Sequence, residues 1–198
     1  MSIDFVFASN NRGKIRELQA AIEELNFSII PQAELGVQEI PEDKLTFVEN
    51  ALIKARHACW HTGFPAIADD SGLVVAVLNG KPGIHSARYA GPEANAKENI
   101  NKLLVELATV PEANRQAYFF CTLVWMAHAE DPAPLICQGT WHGYILNEPL
   151  GNDGFGYDPV FYVPSEGKSA AELTLEQKNL LSHRGKAVRQ LLEHLMHR

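Results

Sequence analysis

The sequence predicts an α/β domain built on a mixed β-sheet. Three observations carry this. An apolar run of strand character, Ile3 to Ala8, gives way to a helical pattern in which Ile15, Leu18, Ile22 and Leu25 recur at spacings of three and four. Two long β-rich segments, Tyr118 to Ala127 and Leu135 to Ile145, are linked by Asp131-Pro132-Ala133-Pro134, which predicts antiparallel neighbours. The stretch Gly185 to Met196 places Val188, Leu191, Leu192 and Leu195 on one face, as an amphipathic helix does.

The elements follow in order. Ser9-Asn10-Asn11-Arg12-Gly13 ends the first strand, and a helix is expected from Lys14 to Leu25. Phe27 to Ile30 returns to strand, and Pro31 to Lys44, acidic with two prolines, reads as loop. Thr46-Phe47-Val48-Glu49 is a capping box opening a helix to about His61, closed by Gly63 and Pro65. Ala66 to Ala68 is expected to be a short strand stopping at Asp69-Asp70-Ser71-Gly72, with Leu73 to Leu78 a separate strand before the Asn79-Gly80 turn. Pro92 suits the first turn of a helix lasting to about Ala108, and Thr174 with Gln177 caps a short helix. The resulting order is β-α-β-α-β-β-α-β-β-α, with no internal repeat and no clear linker, so residues 1–198 are expected to form a single domain.

Composition narrows the function. At 198 residues, 46% hydrophobic and 21% charged, the chain can bury a real core. No apolar run approaches the ~20 residues of a membrane helix. Met1-Ser2-Ile3-Asp4 lacks the basic region of a secretory signal, so a cytoplasmic protein is expected. Cys59, Cys121 and Cys137, odd in number and without a CxxC pair, are expected to be reduced, buried thiols. A net charge of −7 without a Lys/Arg block argues against a nucleic-acid partner, whose affinity comes from many phosphate contacts. It is compatible with one small polyphosphate, which an acidic protein reconciles with its own charge through a divalent metal.

Three segments are candidates for chemistry. Ser9-Asn10-Asn11-Arg12-Gly13-Lys14 joins a strand to a helix start, where free N–H groups and the dipole favour an anion and Lys14 adds a cation. It lacks the Walker A spacing, and taken alone an ordinary N-cap on Ser or Asn accounts for it slightly better. Asp69-Asp70, expected at a strand's end, pairs carboxylates that hold Mg²⁺ while one oxygen takes a proton from water. A solvated turn is the plain alternative, but the apolar flanks on both sides favour function. Gly154-Phe155-Gly156-Tyr157-Asp158 brackets a stacking ring with glycines, and Lys178, His183 and Arg184 supply donors for a base edge. A basic helix start at His183-Arg184 is unfavourable for the dipole, and a bound anion or carbonyl is expected to supply the compensation. His57 and His61 have ligand spacing but no third ligand nearby and read as surface residues; His194 and His197 complement a helix end.

In combination, Ser9-x-Asn11-x-x-Lys14, Thr46-Phe47-x-Glu49-Asn50-Ala51-x-x-Lys54-Ala55, Ala68-Asp69-Asp70-Ser71-Gly72-Leu73, Pro82-Gly83-x-x-Ser86-Ala87-Arg88-Tyr89, and Phe155-Gly156-Tyr157-Asp158-Pro159 with Ser182-His183-Arg184 closely resemble the inosine triphosphate pyrophosphatase family over nearly the whole chain. The resemblance implies an elongated mixed sheet flanked by helices, two lobes with a substrate cleft between them, and a homodimer. It implies Mg²⁺-dependent hydrolysis of deaminated purine nucleoside triphosphates to monophosphate and pyrophosphate. By motif position Ser9 to Lys14 would hold the triphosphate with help from Lys54. Asp70 would be the general base, with Asp69 and Glu42 helping to hold the metal, and Ser71 would contact substrate. Phe155 would stack on the purine, Gly156, Tyr157 and Asp158 would line the pocket, and Lys178, His183 and Arg184 would contact the base. Two readings stay open beside it: a pyrophosphatase for another nucleotide such as a modified pyrimidine, and a nucleotide-binding regulator without chemistry.

Overall fold

The computed structural model describes residues 3–22 and 27–196. Seven strands form one sheet in the order β2-β1-β3-β4-β5-β6-β7: β1 Ile3–Phe7, β2 Phe27–Pro31, β3 Ala66–Val75, β4 Gln116–Met126, β5 Leu135–Ile145, β6 Phe161–Val163 and β7 Lys168–Ser169. The sheet is mixed: β1 lies parallel to both β2 and β3, whereas β6 pairs antiparallel with β5 and β7. Among the described residues five α-helices accompany it: α1 Arg12–Ile22, α2 Phe47–Thr62, α3 Ala96–Glu106, α4 Leu175–Leu181 and α5 His183–Met196. The expected α/β class and mixed sheet are therefore present, with β4 and β5 as neighbours.

Four local expectations need correction or extension. The two short strands expected around Asp69-Asp70 are one ten-residue strand that runs straight through the acidic pair to Val75, and Ala76–Leu78 is a 3₁₀ turn. Turn-forming residue types misled here because buried cations, described below, neutralise the carboxylates and let the strand continue. The helix expected from Pro92 begins instead at Ala96. Asn95 accepts from the Glu98 N–H at 3.1 Å while the Glu98 carboxylate accepts from the Asn95 N–H at 2.8 Å, a reciprocal cap that outweighs the preference of proline for a first turn. Thr46 does cap α2, but the Glu49 carboxylate accepts the Thr46 hydroxyl at 2.6 Å. The short β6 and β7 carry too little period-2 signal to be read from sequence. Leu25, expected at the end of α1, and His197 lie outside the described residues.

The chain divides into two compact units: Met1–Asp70, Cys121–Gly139 and His183–Arg198, as far as they are described, and Ser71–Phe120 with Thr140–Ser182. The first unit has two cores. Phe5, Phe7, Ile67, Leu123 and Cys137 pack with Leu18 and Ile22 of α1 and with Ala187, Val188 and Leu191 of α5. Val6, Ala8, Ala66, Ala68, Val124 and Met126 pack with Ala51, Ala55, Ala58 and Cys59 of α2. The odd and even positions of β3 thus face different helices, as the two-residue period of a strand dictates. In the second unit a single core gathers Leu73, Leu103, Leu107, Phe119, Trp141, Tyr157 and Phe161. All three cysteines are free and buried, as expected.

One glycine shows how tightly α5 is seated. A Cβ on Gly139 of β5 would overlap the carbonyl oxygen of His183 and lie 2.9 Å from its carbon and 3.1 Å from the Ala187 nitrogen. These are backbone atoms, so the helix start must move to admit a methyl group. Gly139→Ala is expected to destabilise the protein by about 1–3 kcal/mol through overpacking, measured as a lower urea midpoint at unchanged m-value.

Candidate functional site

In the first unit the acidic pair organises two clusters, one on each side of β3. Ile67 and Asp69 share the face that meets α1 and α5; Ala66, Ala68 and Asp70 share the face that meets α2. The pleat therefore sends neighbouring carboxylates in opposite directions.

Asp69 is fully buried. Its Oδ1 pairs with the Lys14 ammonium, and its Oδ2 accepts from Arg184 Nε at 2.8 Å and from the Cys121 thiol at 3.2 Å. Arg184 in turn pairs through Nη1 with Glu17 of α1, itself buried. Burial works against the charge on Asp69, but Arg184 and Lys14 overcome it and hold its carboxyl well below the usual carboxylate range. The unfavourable basic start of α5 is thus compensated by two internal carboxylates. Glu17 escaped the sequence reading because a glutamate one turn into a helix looks like a solvated residue.

Asp70 lies on the other side with weaker support. Lys54 of α2 stands 3.5 Å from its Oδ1, pairs with Glu42, and donates to the Asp69 backbone carbonyl at 2.6 Å. Burial dominates here, opposed by Lys54 and Lys14, and pushes the Asp70 carboxyl from 3.8 up to about 6. For Lys54 burial is outweighed by Asp70 and Glu42, which hold the ammonium above its ordinary value. Two like residues in sequence thus acquire different characters: a permanent anion and a carboxyl that exchanges its proton near neutrality.

Upstream, Asn11 caps α1 with its side-chain oxygen, accepting from Gly13 N at 3.0 Å and Lys14 N at 3.2 Å, while Ser9 Oγ accepts from Asn11 N at 3.2 Å. Asn10, Asn11 and Arg12 are exposed, and Lys14 alone of the segment reaches back to the buried cluster. Both the cap and the cation therefore exist together.

Glu42 and Asp70 already flank one cation, the Lys54 ammonium, so two carboxylates face a shared point of positive charge. That suits a Mg²⁺ site, which takes one or two carboxylates and completes its shell with water and phosphate oxygens. Asp69 does not fit as a third ligand: it points to the opposite face, and Lys14 and Arg184 occupy its oxygens. Among the described residues no group of three or more His, Cys, Asp and Glu forms an all-protein cage.

The second unit holds the aromatic candidate. Gly154 and Gly156 both adopt left-handed backbone, φ 77° and 60°, which the tight loop around Phe155 requires. Asp158 Oδ2 accepts from Phe155 N at 2.7 Å and from Lys178 Nζ at 2.6 Å, and the Lys178 ammonium lies 4.6 Å from the Phe155 ring centre. A Cβ on Gly154 would press on that carboxylate, 3.0 Å from Asp158 Cβ and Cγ. Phe155 is half-buried, whereas Tyr157 belongs to the core and donates its hydroxyl to the Ser86 carbonyl at 2.9 Å. Ser71 is half-buried in β3 and belongs to this unit. His183, at the first position of α5, is buried in the first unit.

The model of the Ham1 family matches residues 5–194. A curated dITP/XTP pyrophosphatase of Escherichia coli O157:H7 is 56% identical over 190 residues, 96% of each chain. The solved structure of a HAM1 protein from Coxiella burnetii superposes with a TM-score of 0.91 at 49% identity, covering 99% of this chain and 100% of that one. The Staphylococcus aureus Ham1 protein superposes with a TM-score of 0.85 at 39% identity over 98% of each chain.

Proposed function

The chain belongs to the Ham1 family, and on that premise we propose that it is a nucleoside triphosphate pyrophosphatase that hydrolyses the deaminated purine nucleotides ITP, dITP and XTP to monophosphate and pyrophosphate. The observation that carries the chemistry is Asp70: a carboxyl in a buried strand, pushed up to about 6, beside Lys54 and Glu42. A base of that strength is ionised at neutral pH yet takes a proton readily.

In this reading Asp70 removes the proton from the water that attacks the α-phosphorus. Lys54 and Lys14 offset charge on the departing pyrophosphate, and Ser9, Asn10, Asn11, Arg12 and Gly13 at the start of α1 bind phosphate oxygens. Mg²⁺, held by Glu42 and Asp70, would supply further charge neutralisation on the phosphates. Phe155 is the stacking platform for the base, with Gly156, Tyr157 and Asp158 beneath it, and Lys178 and His183 donate toward the base oxygen; Ser71 contacts the substrate. Arg184, expected to contact the base, is engaged with Asp69 and Glu17, so its role in the reading is to hold Asp69. Selectivity follows from a pocket that donates to O6: adenine presents an amino group there, leaving buried donors unmatched at about 1–3 kcal/mol each. Residues 1–198 would act as one functional domain, working as a cytoplasmic homodimer. Among the described residues no helix is long and apolar enough to cross a membrane.

Product identity tests it. Purified protein with Mg²⁺ is expected to release pyrophosphate from dITP and XTP, and little from dATP or dGTP. Phosphate release instead would move the attack to the γ-phosphorus and overturn the mechanism, and a preference for modified pyrimidines would replace the substrate class. Phe155→Ala is expected to raise KM for dITP by about tenfold or more, given ~1–3 kcal/mol per stacked base. Steady-state kinetics on the folded variant checks this.

A further inference from the structure

We propose that Glu17 is a positioning residue for the phosphate-binding end of the site, acting through Arg184 and Asp69 on Lys14. The proposal rests on the reading that Lys14 meets the phosphates.

Asp69 is fully buried and receives Lys14 on one oxygen and Arg184 with Cys121 on the other. A carboxylate anchored on its far oxygen is a fixed counter-ion, and the ammonium bound to its near oxygen is fixed with it. Lys14 otherwise ends a flexible four-carbon stem, and holding such a side chain in one rotamer before the ligand arrives removes an entropic penalty from binding.

Arg184 does the anchoring, and Glu17 anchors Arg184. The guanidinium donates through Nε to Asp69 and through Nη1 to Glu17, so its plane is set by two carboxylates on two elements, β3 and α1. Glu17 and Lys14 also stand three residues apart on α1, so one helix carries both ends of the relay. Glu17 is also an electrostatic partner. Without its charge the Arg184 guanidinium would be shared less, and Asp69 would then be drawn more strongly to Arg184 and less to Lys14. A helix glutamate buried without function is costly and rare, and here its partners lead directly to the anion-binding segment.

Glu17→Gln removes the charge while keeping shape and one acceptor. Calorimetric titration with inorganic pyrophosphate, with and without Mg²⁺, is the direct reading, because it involves no turnover. A roughly tenfold weaker affinity is expected, the size of losing one charge-assisted contact. KM for dITP should rise by a similar factor and kcat should fall with it, since Lys14 also offsets charge on the departing pyrophosphate, while the Mg²⁺ concentration for half-activity stays near wild type. In a Lys14→Met background the same substitution should add little, because the relay then ends on nothing. Wild-type pyrophosphate affinity in Glu17→Gln would overturn the proposal, as would a loss that adds in full to that of Lys14→Met. Should Glu17→Gln fold poorly, Arg184→Lys supplies the same test, since a single ammonium cannot span both carboxylates; normal pyrophosphate affinity in that variant would equally sink the relay. The dITP product assay on the wild-type chain judges the activity separately: pyrophosphate affinity is compared between variants whether or not dITP proves to be the substrate.

Discussion

Asp70→Asn is expected to lose at least about a thousandfold in turnover of dITP, in line with removing the group that activates the attacking water, and to be more stable than the wild type at pH 8 without Mg²⁺. Both halves follow from the same burial. A carboxyl raised from 3.8 to about 6 binds its proton more tightly in the folded protein than in the unfolded chain. Above pH 6 the folded state therefore carries an ionised group in a place that disfavours it. At about 1.4 kcal/mol per pH unit the penalty is on the order of 3 kcal/mol, fully present above pH 6 and relieved as pH falls toward 4. Asparagine removes that penalty. Urea denaturation of both proteins from pH 4 to pH 8 should show a stability difference near zero at the acidic end, growing through pH 5 to 6 and then level. Equal stability at pH 8, or near-normal activity, would remove Asp70 from the role of buried base.

Arg184→Ala should be the most destabilising single change in the first unit, by about 3–5 kcal/mol, because it leaves Asp69 and Glu17 buried with one fewer cation between them. The effect should depend on pH with the opposite sign to that of Asp70. Asp69 lies well below its ordinary value because of Arg184 and Lys14, so its contribution is present above pH 3.8 and is lost as pH falls through its lower folded value. Without Arg184 much of that contribution disappears at neutral pH. Adding Glu17→Gln to Arg184→Ala should recover part of the loss, since the second substitution removes one stranded charge. Equilibrium unfolding of the single and double variants measures the recovery. A double variant no more stable than Arg184→Ala would mean that Glu17 is satisfied by other contacts.

Much of this was legible in the sequence. Helical spacing located α1 and α5, because burial of one face imposes a spacing that any reader of the chain can see, and β-rich composition around a proline-containing link located β4 and β5. Thr46 and Thr174 announced their helices, since a cap is a local hydrogen bond between residues three apart. The ordered motifs around Lys14, Lys54, Asp70 and Phe155 identified the family to which the chain belongs.

Other features needed the fold. Asp69-Asp70 carried the residue types of a turn, and the apolar flanks, though they spoke against a solvated one, did not show a strand running through the pair. The cations that let the strand continue are Lys14, Lys54 and Arg184, 55, 16 and 115 positions from Asp69, 70 and 69 respectively. Glu17 was invisible for the same reason: its partner stands 167 residues away on α5. The sequence by itself determined which elements form and which chemical groups are available, because those depend on local spacing and residue type. Only the tertiary structure decided that adjacent aspartates face opposite helices, one held as a permanent anion and the other left to exchange its proton. Electrostatic energy depends on distance through space and on exclusion of water, and neither is ordered along the chain.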